Sequence, residues 1–132
     1  MRVIIESPYG GNKKDYHRRY AQKCLYHSLM MDESPLAFHL LYTQVLDDDK
    51  TFDRKKGIEL SHSWYKSADM VAAYIDFGVT EGMQAGIDKG LELGLPIQTR
   101  SIIYESGGHI GAGFRTYWDS TGSPTRRHVD KP

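Results

Sequence analysis

The sequence predicts an α/β fold: a small parallel sheet of four to five strands flanked by helices, followed by an extra C-terminal tail. Two observations carry this. Short apolar runs alternate with stretches of helical spacing in the order β-α-β-α-β-α-β, joined by short links. The run Met70–Ile75 contains no polar residue and no alternation, as expected of a strand buried on both faces of a parallel sheet.

Each element has its own signal. Val3–Glu6 is β-branched and apolar, and Ser7-Pro-Tyr-Gly-Gly11 breaks it. Asn12 is placed to cap a helix over Lys13–Met31, with Asp15 three residues on. In that helix Tyr16, Tyr20 and Cys24 form one row and Ala21, Leu25 and Leu29 another, both expected to face the core. Asp32-Glu-Ser-Pro35 ends it, and Leu36–Leu41 reads as a second strand. The acidic Asp47-Asp-Asp49 is a loop before a helix from about Thr51 to Lys66, with Ile58, Trp64, Tyr65 and Ala68 as inner residues. After the third strand, a helix over about Thr80–Leu93 shows Met83, Ile87 and Leu91 at i, i+4 spacing. Gly82, Gly86 and Gly90 run parallel to that row. Each costs about 1 kcal/mol against Ala in a helix, so three in register imply a close approach to the sheet. Gly94 and Pro96 stop the helix, and Ile97–Tyr104 is the fourth strand.

The chain of 132 residues suits one domain, read as residues 1–104 with an extension over 105–132. The extension is Gly-rich over Gly107–Gly113, aromatic over Phe114–Trp118 and basic at Thr125-Arg-Arg-His128; it is expected either to be a partly ordered terminus or to cross a pocket or a neighbouring subunit. Hydrophobic residues make up 39% and charged residues 26%, as in an ordinary soluble protein. Lys plus Arg equal Asp plus Glu at 17 each, so no net field argues for nucleic acid. A single cysteine excludes an intrachain disulfide and a cysteine-based zinc site, and the histidines show no metal-ligand spacing, so neither metal nor cofactor is expected. No run approaches 18 apolar residues, and the first strand follows Met1 at once, so a cytosolic protein without a membrane partner is expected.

Ligands of open α/β sheets bind beyond the carboxyl ends of the strands, beside helix N-termini. Two stretches lie there. The first is Pro8-Tyr9-Gly10-Gly11-Asn12, which runs from the first strand into a helix N-terminus and whose backbone could cradle a phosphate or sugar, with Tyr9 placed to stack on a base; the alternative is a tight turn. The second is Asp76-Phe-Gly78-Val-Thr-Glu81-Gly82-Met83-Gln84-Ala-Gly86. Asp76 ends a buried strand and reads either as a ligand contact or as a partner of its own turn. Glu81 either reaches the pocket rim or complements the helix dipole. Glu6 points either into the crevice or into a salt bridge. His39, on the second strand, is either a satisfied core histidine or a ligand contact.

Three motifs carry a resemblance. Ile4-Ile-Glu-Ser-Pro-Tyr9 ends a strand in a small residue, Pro and an aromatic; Ala68-Asp69 introduces an apolar strand; Asp76-x-Gly78 precedes Gly82-Met-Gln-Ala-Gly86. In this order they resemble the nucleoside 2-deoxyribosyltransferase superfamily over roughly residues 2–100, more closely its phage-encoded relatives. The resemblance implies a deoxyribosyltransferase-like, Rossmann-like fold, a homo-oligomer, and a pocket for a nucleotide- or ADP-ribose-type ligand formed by Ser7, Pro8, Tyr9, Gly10, Gly11, His39, Asp76, Gly78, Gly82, Met83 and Gln84. Such enzymes cleave an N-glycosidic bond with a Glu nucleophile. Here the matching position is Gln84, a neutral amide. That favours a protein that holds its ligand, as a phage counter-defence protein sequestering a nucleotide immune signal would. The alternative is an enzyme acting on an N-glycosidic bond, with Glu81, Glu6 or Asp76 supplying the carboxylate.

Overall fold

The computed structural model describes residues 1–10 and 13–102, together with the backbone strands at 114–118 and 124–128. The elements are β1 (Arg2–Glu6), α1 (Lys14–Met30), β2 (Ser34–Leu36), α2 (Phe38–Leu41), α3 (Thr51–His62), β3 (Met70–Tyr74), α4 (Glu81–Glu92), β4 (Ile97–Arg100), β5 (Phe114–Trp118) and β6 (Pro124–His128). They form one sheet in the order β2-β1-β3-β4-β5-β6. The first four strands are parallel, as the β-α-β order predicts. The extension adds β5 and β6 as an antiparallel pair beside β4.

Strand alternation divides the core into two layers. Val3, Ile5, Ala72 and Tyr74 face α1 and pack on Tyr20 and Cys24. Ile4, Val71, Ala73 and Ile97 face the other way and pack on Ile87 of α4, Tyr65 and Phe38. All five residues of β3 are buried, in keeping with the absence of alternation there. Glu6 continues the Ile4 face, so its side chain emerges under α4 rather than under α1.

Asp69 ties the starts of β1 and β3 together: its carboxylate accepts the Arg2 N–H at 2.6 Å and its own N–H donates to Arg2 O at 2.8 Å. The α1 layer also hides Arg100, 1% exposed, whose guanidinium forks onto Glu33 at 2.6 and 2.8 Å and donates to the Tyr74 hydroxyl at 2.9 Å. A buried guanidinium persists only when so matched.

Several local expectations change. Leu36–Leu41 is not one strand. Pairing with β1 ends at Leu36, Ala37 is extended, and Phe38–Leu41 makes one helical turn followed by a 3₁₀ turn over Tyr42–Gln44. His39 is therefore on α2 and not on a buried strand. On α1, Tyr20, Ala21 and Cys24 are buried, but Tyr16 and Leu29 at the row ends are about half exposed, as is Trp64 after α3. β4 ends at Arg100, and residues 103–104 of the expected fourth strand lie outside the described residues, as do Asn12 and the Gly-rich stretch 107–113.

The glycine row of α4 has a steric cause at two positions. A Cβ on Gly90 would lie 2.8 Å from both Ile97 Cδ1 and Val71 Cγ2, so the helix sits directly on the sheet. A Cβ on Gly86 would lie 2.1 Å from Glu6 Oε1 and 2.7 Å from the Tyr65 hydroxyl. Gly86 is thus the notch that admits these two polar groups beneath the helix.

Candidate functional site

The order β2-β1-β3 means that the chain leaves β1 towards one edge of the sheet and returns to β3 on the other side. The carboxyl ends of β1 and β3 therefore flank the point where the connections diverge, the place at which an α/β sheet leaves a crevice. A cavity of about 130 Å³ lies there, between the β1 end, α2, α3 and the start of α4. It opens into a wider cleft of about 680 Å³ between α3 and α4, and the two share Asp48, Arg54, Ile58, His62 and Gly82.

Two hydrogen-bonded pairs lie in the inner cavity. Glu6, at the end of β1, accepts a hydrogen bond from the Tyr65 hydroxyl. Burial raises the Glu6 carboxyl to about 8, with the Tyr65 bond opposing part of the rise. Ser7 Oγ and His39 Nε2 lie 2.6 Å apart. Burial lowers the His39 imidazole to about 4. At neutral pH the Glu6 carboxyl is then mostly protonated, His39 is uncharged, and the Tyr65 phenol, also raised by burial and by Glu6, keeps its proton. Hydroxyl, imidazole and carboxyl groups thus meet at the β1 end of the cavity with little charge of their own. Tyr9, Phe38 and Tyr42 add aromatic walls.

Thr80 begins α4 by accepting the Met83 N–H at 3.2 Å on Oγ1. This cap places Thr80, Gly82 and Met83 at the cavity, Met83 being buried. The opposite wall is the segment before α3. Leu46, Asp48 and Asp53 line the cavity there. The segment is held by Lys14–Asp49 at 2.7 Å and by the Asp47 N–H on Asp53 Oδ2 at 2.9 Å.

Of the residues singled out from the sequence, Glu6, Ser7, Tyr9, His39, Gly82 and Met83 line this cavity together. Glu81 is exposed and lines only the outer cleft. Gly11 lies outside the described residues.

The others lie elsewhere. Pro8 is fully buried beside the site. Gly10 has φ +98°, and a Cβ there would be 3.1 Å from Asp48 Oδ2, so it serves the turn after β1. Asp76 is occupied by the fold: its carboxylate accepts from the Tyr20 and Ser101 hydroxyls and from the Ile102 N–H at 3.1 Å, tying the end of β3 to α1 and to the residues after β4. Gly78, at φ +83°, closes the following turn with its N–H on Ile75 O at 2.9 Å. Gln84 is exposed, donates to Asp88 Oδ1 at 2.9 Å and lines neither cavity.

Tyr65, Thr43, Tyr42, Asp48, Arg54 and Thr80 were not anticipated as site residues. The Thr80 cap was legible, because a helix start beside a strand end marks a crevice. The partnership of Tyr65 with Glu6 spans 59 positions and leaves no local signal. Among the described residues no group of His, Cys, Asp and Glu could hold a metal ion, and no helix is long and apolar enough to cross a membrane.

The family described as a domain of unknown function (DUF7768) matches residues 1–100. Among solved structures, the chain is similar to a 2-deoxyribosyltransferase from the psychrotolerant bacterium Bacillus psychrosaccharolyticus, with a TM-score of 0.57 and 15% identity over 76% of this chain and 72% of that one. At that identity the likeness is one of fold. No curated protein matches the sequence.

Proposed function

The chain belongs to the DUF7768 family, and we propose that it binds the nucleoside moiety of a small ligand in the cavity at the ends of β1 and β3, and holds that ligand without cleaving it. One observation carries the reading: the Glu6–Tyr65 and Ser7–His39 pairs meet in one cavity and are largely uncharged at neutral pH. Such a surface matches the hydroxyls of a sugar or the edge of a base.

It suits nucleophilic catalysis poorly. Displacement at an anomeric carbon needs an ionised carboxylate. Glu6 is mostly protonated at neutral pH, Gln84 lies away from the cavity, and Glu81 stands in the outer cleft. The Ser7–His39 pair resembles a nucleophile and its base in distance alone. An imidazole held near 4 is too weak a base to activate a hydroxyl at neutral pH.

Two ligand classes share the nucleoside moiety: unphosphorylated nucleosides, and phosphorylated signals of the ADP-ribose kind. Holding one of the latter intact would make the protein a sponge for a nucleotide immune signal, as a phage counter-defence protein would be. On this reading the protein works in the cytoplasm as a homo-oligomer, which light scattering tests.

A second reading has its own support. A Glu6 near 8 is poised to act as a general acid towards the leaving base of an N-glycosidic bond. One experiment separates the two. The protein is incubated with nucleosides, nucleotides, NAD and cyclic ADP-ribose isomers, and free small molecules are analysed before and after heat denaturation. The binding reading expects a compound that leaves solution and returns intact. A free base would establish catalysis and move Glu6 into the acid role, and a panel unchanged throughout would remove both readings.

A further inference from the structure

The charge of the ligand follows from what surrounds the cavity, granted the nucleoside-binding reading above. Among the described residues no Lys or Arg lines the inner cavity except Arg54, which the outer cleft shares. The half-buried acid, Glu6, has a phenol rather than a cation as its partner, and none of the ion pairs among the described residues includes it. Around the mouth and outer cleft stand five carboxylates, Asp48, Asp49, Asp53, Glu59 and Glu81. They face Arg54 and Lys55, with Lys14 behind, paired to Asp49. Among the described residues, acids therefore outnumber bases there by two. The rings of Tyr9, Phe38 and Tyr42 also line the inner cavity, and aromatic faces attract cations but not phosphate.

Aromatic walls, a half-buried acid lacking a cationic partner and an acidic mouth are the chemistry that recognises an organic cation. A phosphate would have to sit among the carboxylates, and among the described residues no lysine or arginine lies deeper in the cavity to offset its charge. We propose that the ligand is a nucleoside whose base carries a fixed positive charge, such as an N-ribosylpyridinium or an N-alkylated purine nucleoside, and that 5′-phosphorylation weakens binding. This narrows the two ligand classes to the unphosphorylated one.

The test uses three compounds of nearly the same shape: nicotinamide riboside, which is cationic; its 1,4-dihydro form, which is neutral; and nicotinamide mononucleotide, which adds a phosphate. Inosine and thymidine serve as neutral nucleosides of other shape. Affinities are measured by titration calorimetry on the full chain. In about 50 mM salt the cation should bind roughly tenfold more tightly than its neutral form, the order expected of two uncompensated charges acting through water. That ratio should fall several-fold in about 500 mM salt, because the groups at the mouth are screened. It should also fall in the Glu59→Gln, Glu81→Gln double variant. The mononucleotide should bind more weakly than the riboside.

Equal affinity for the charged and neutral forms, or a mononucleotide tighter than the riboside, would overturn the inference. So would binding of inosine or thymidine alone, although the nucleoside-binding reading would then stand. Failure of every nucleoside to bind would remove that reading itself.

Discussion

Glu6 gives the sharpest quantitative expectation. Its carboxyl is raised from an ordinary 4.5 to about 8 because it is buried without a cation. Between these values the native state holds a proton that the unfolded state has released, so stability falls as pH rises. At about 1.4 kcal/mol for each pH unit, the loss accumulated from pH 4.5 to pH 7 is at most about 3 kcal/mol. Water entering the cavity reduces this. The substitution Glu6→Gln keeps the shape and the acceptor for the Tyr65 hydroxyl while removing the titration. The variant should match the parent at pH 4.5 and exceed it by about 1–3 kcal/mol at pH 7 in urea denaturation. The gain should widen towards pH 8 and then level off. His39 contributes with the opposite sign: held near 4 against an ordinary 6.5, it removes stability as pH falls below 6.5. The two slopes cancel between about pH 4.5 and 6.5, so the parent should show a plateau there and a decline up to about pH 8. A gain from Glu6→Gln that does not change with pH, or a less stable variant at pH 8, would refute the argument that Glu6 is buried protonated.

Three further substitutions test the placement of neighbouring residues. Gly86→Ala brings a methyl against Glu6 and Tyr65 and should cost about 1–3 kcal/mol by denaturation while weakening ligand binding; an unaffected protein would show that the notch is not filled. Asp76→Ala removes the acceptor of three hydrogen bonds and should lower stability by about 2–4 kcal/mol, so that a preserved melting temperature with lost binding would return Asp76 to the ligand. Gln84→Glu places a second carboxylate one turn from Asp88 on an exposed helix face. It should cost a few tenths of a kcal/mol and yield no release of base from nucleosides, and a gain of glycosidase activity would put residue 84 at the reacting centre.

Most of the sheet was legible because its signals are local. The unbroken apolar run of β3 required burial on both faces, and Thr80, the glycine row and Gly94 bounded α4 correctly. The run Leu36–Leu41 misled because six residues are too few to separate a strand from a helical turn by period. There, Phe38 turning into the core beside Ile4 and Tyr65 decided the outcome. The motif position of Gln84 implies a ligand contact, whereas the structure places it on the exposed face of α4. Once Met83 and Ile87 face the core with Gly86 on their near side, Gln84 falls on the far side of Met83, towards Asp88. The partners of Glu6 and Arg100 stayed hidden because Tyr65 and Glu33 are 59 and 67 positions away. Only the assembled sheet and its covering helices bring them together.

The measurement that bears most directly on the proposed function is a crystal structure of the protein with the nucleoside that binds most tightly. The account predicts an intact ligand, its glycosidic bond unbroken, seated between Glu6, Ser7, His39 and Thr80 with the remainder in the cleft between α3 and α4. A ligand lying on the outer face of α4 beside Gln84, or a sugar covalently joined to any carboxylate, would contradict it.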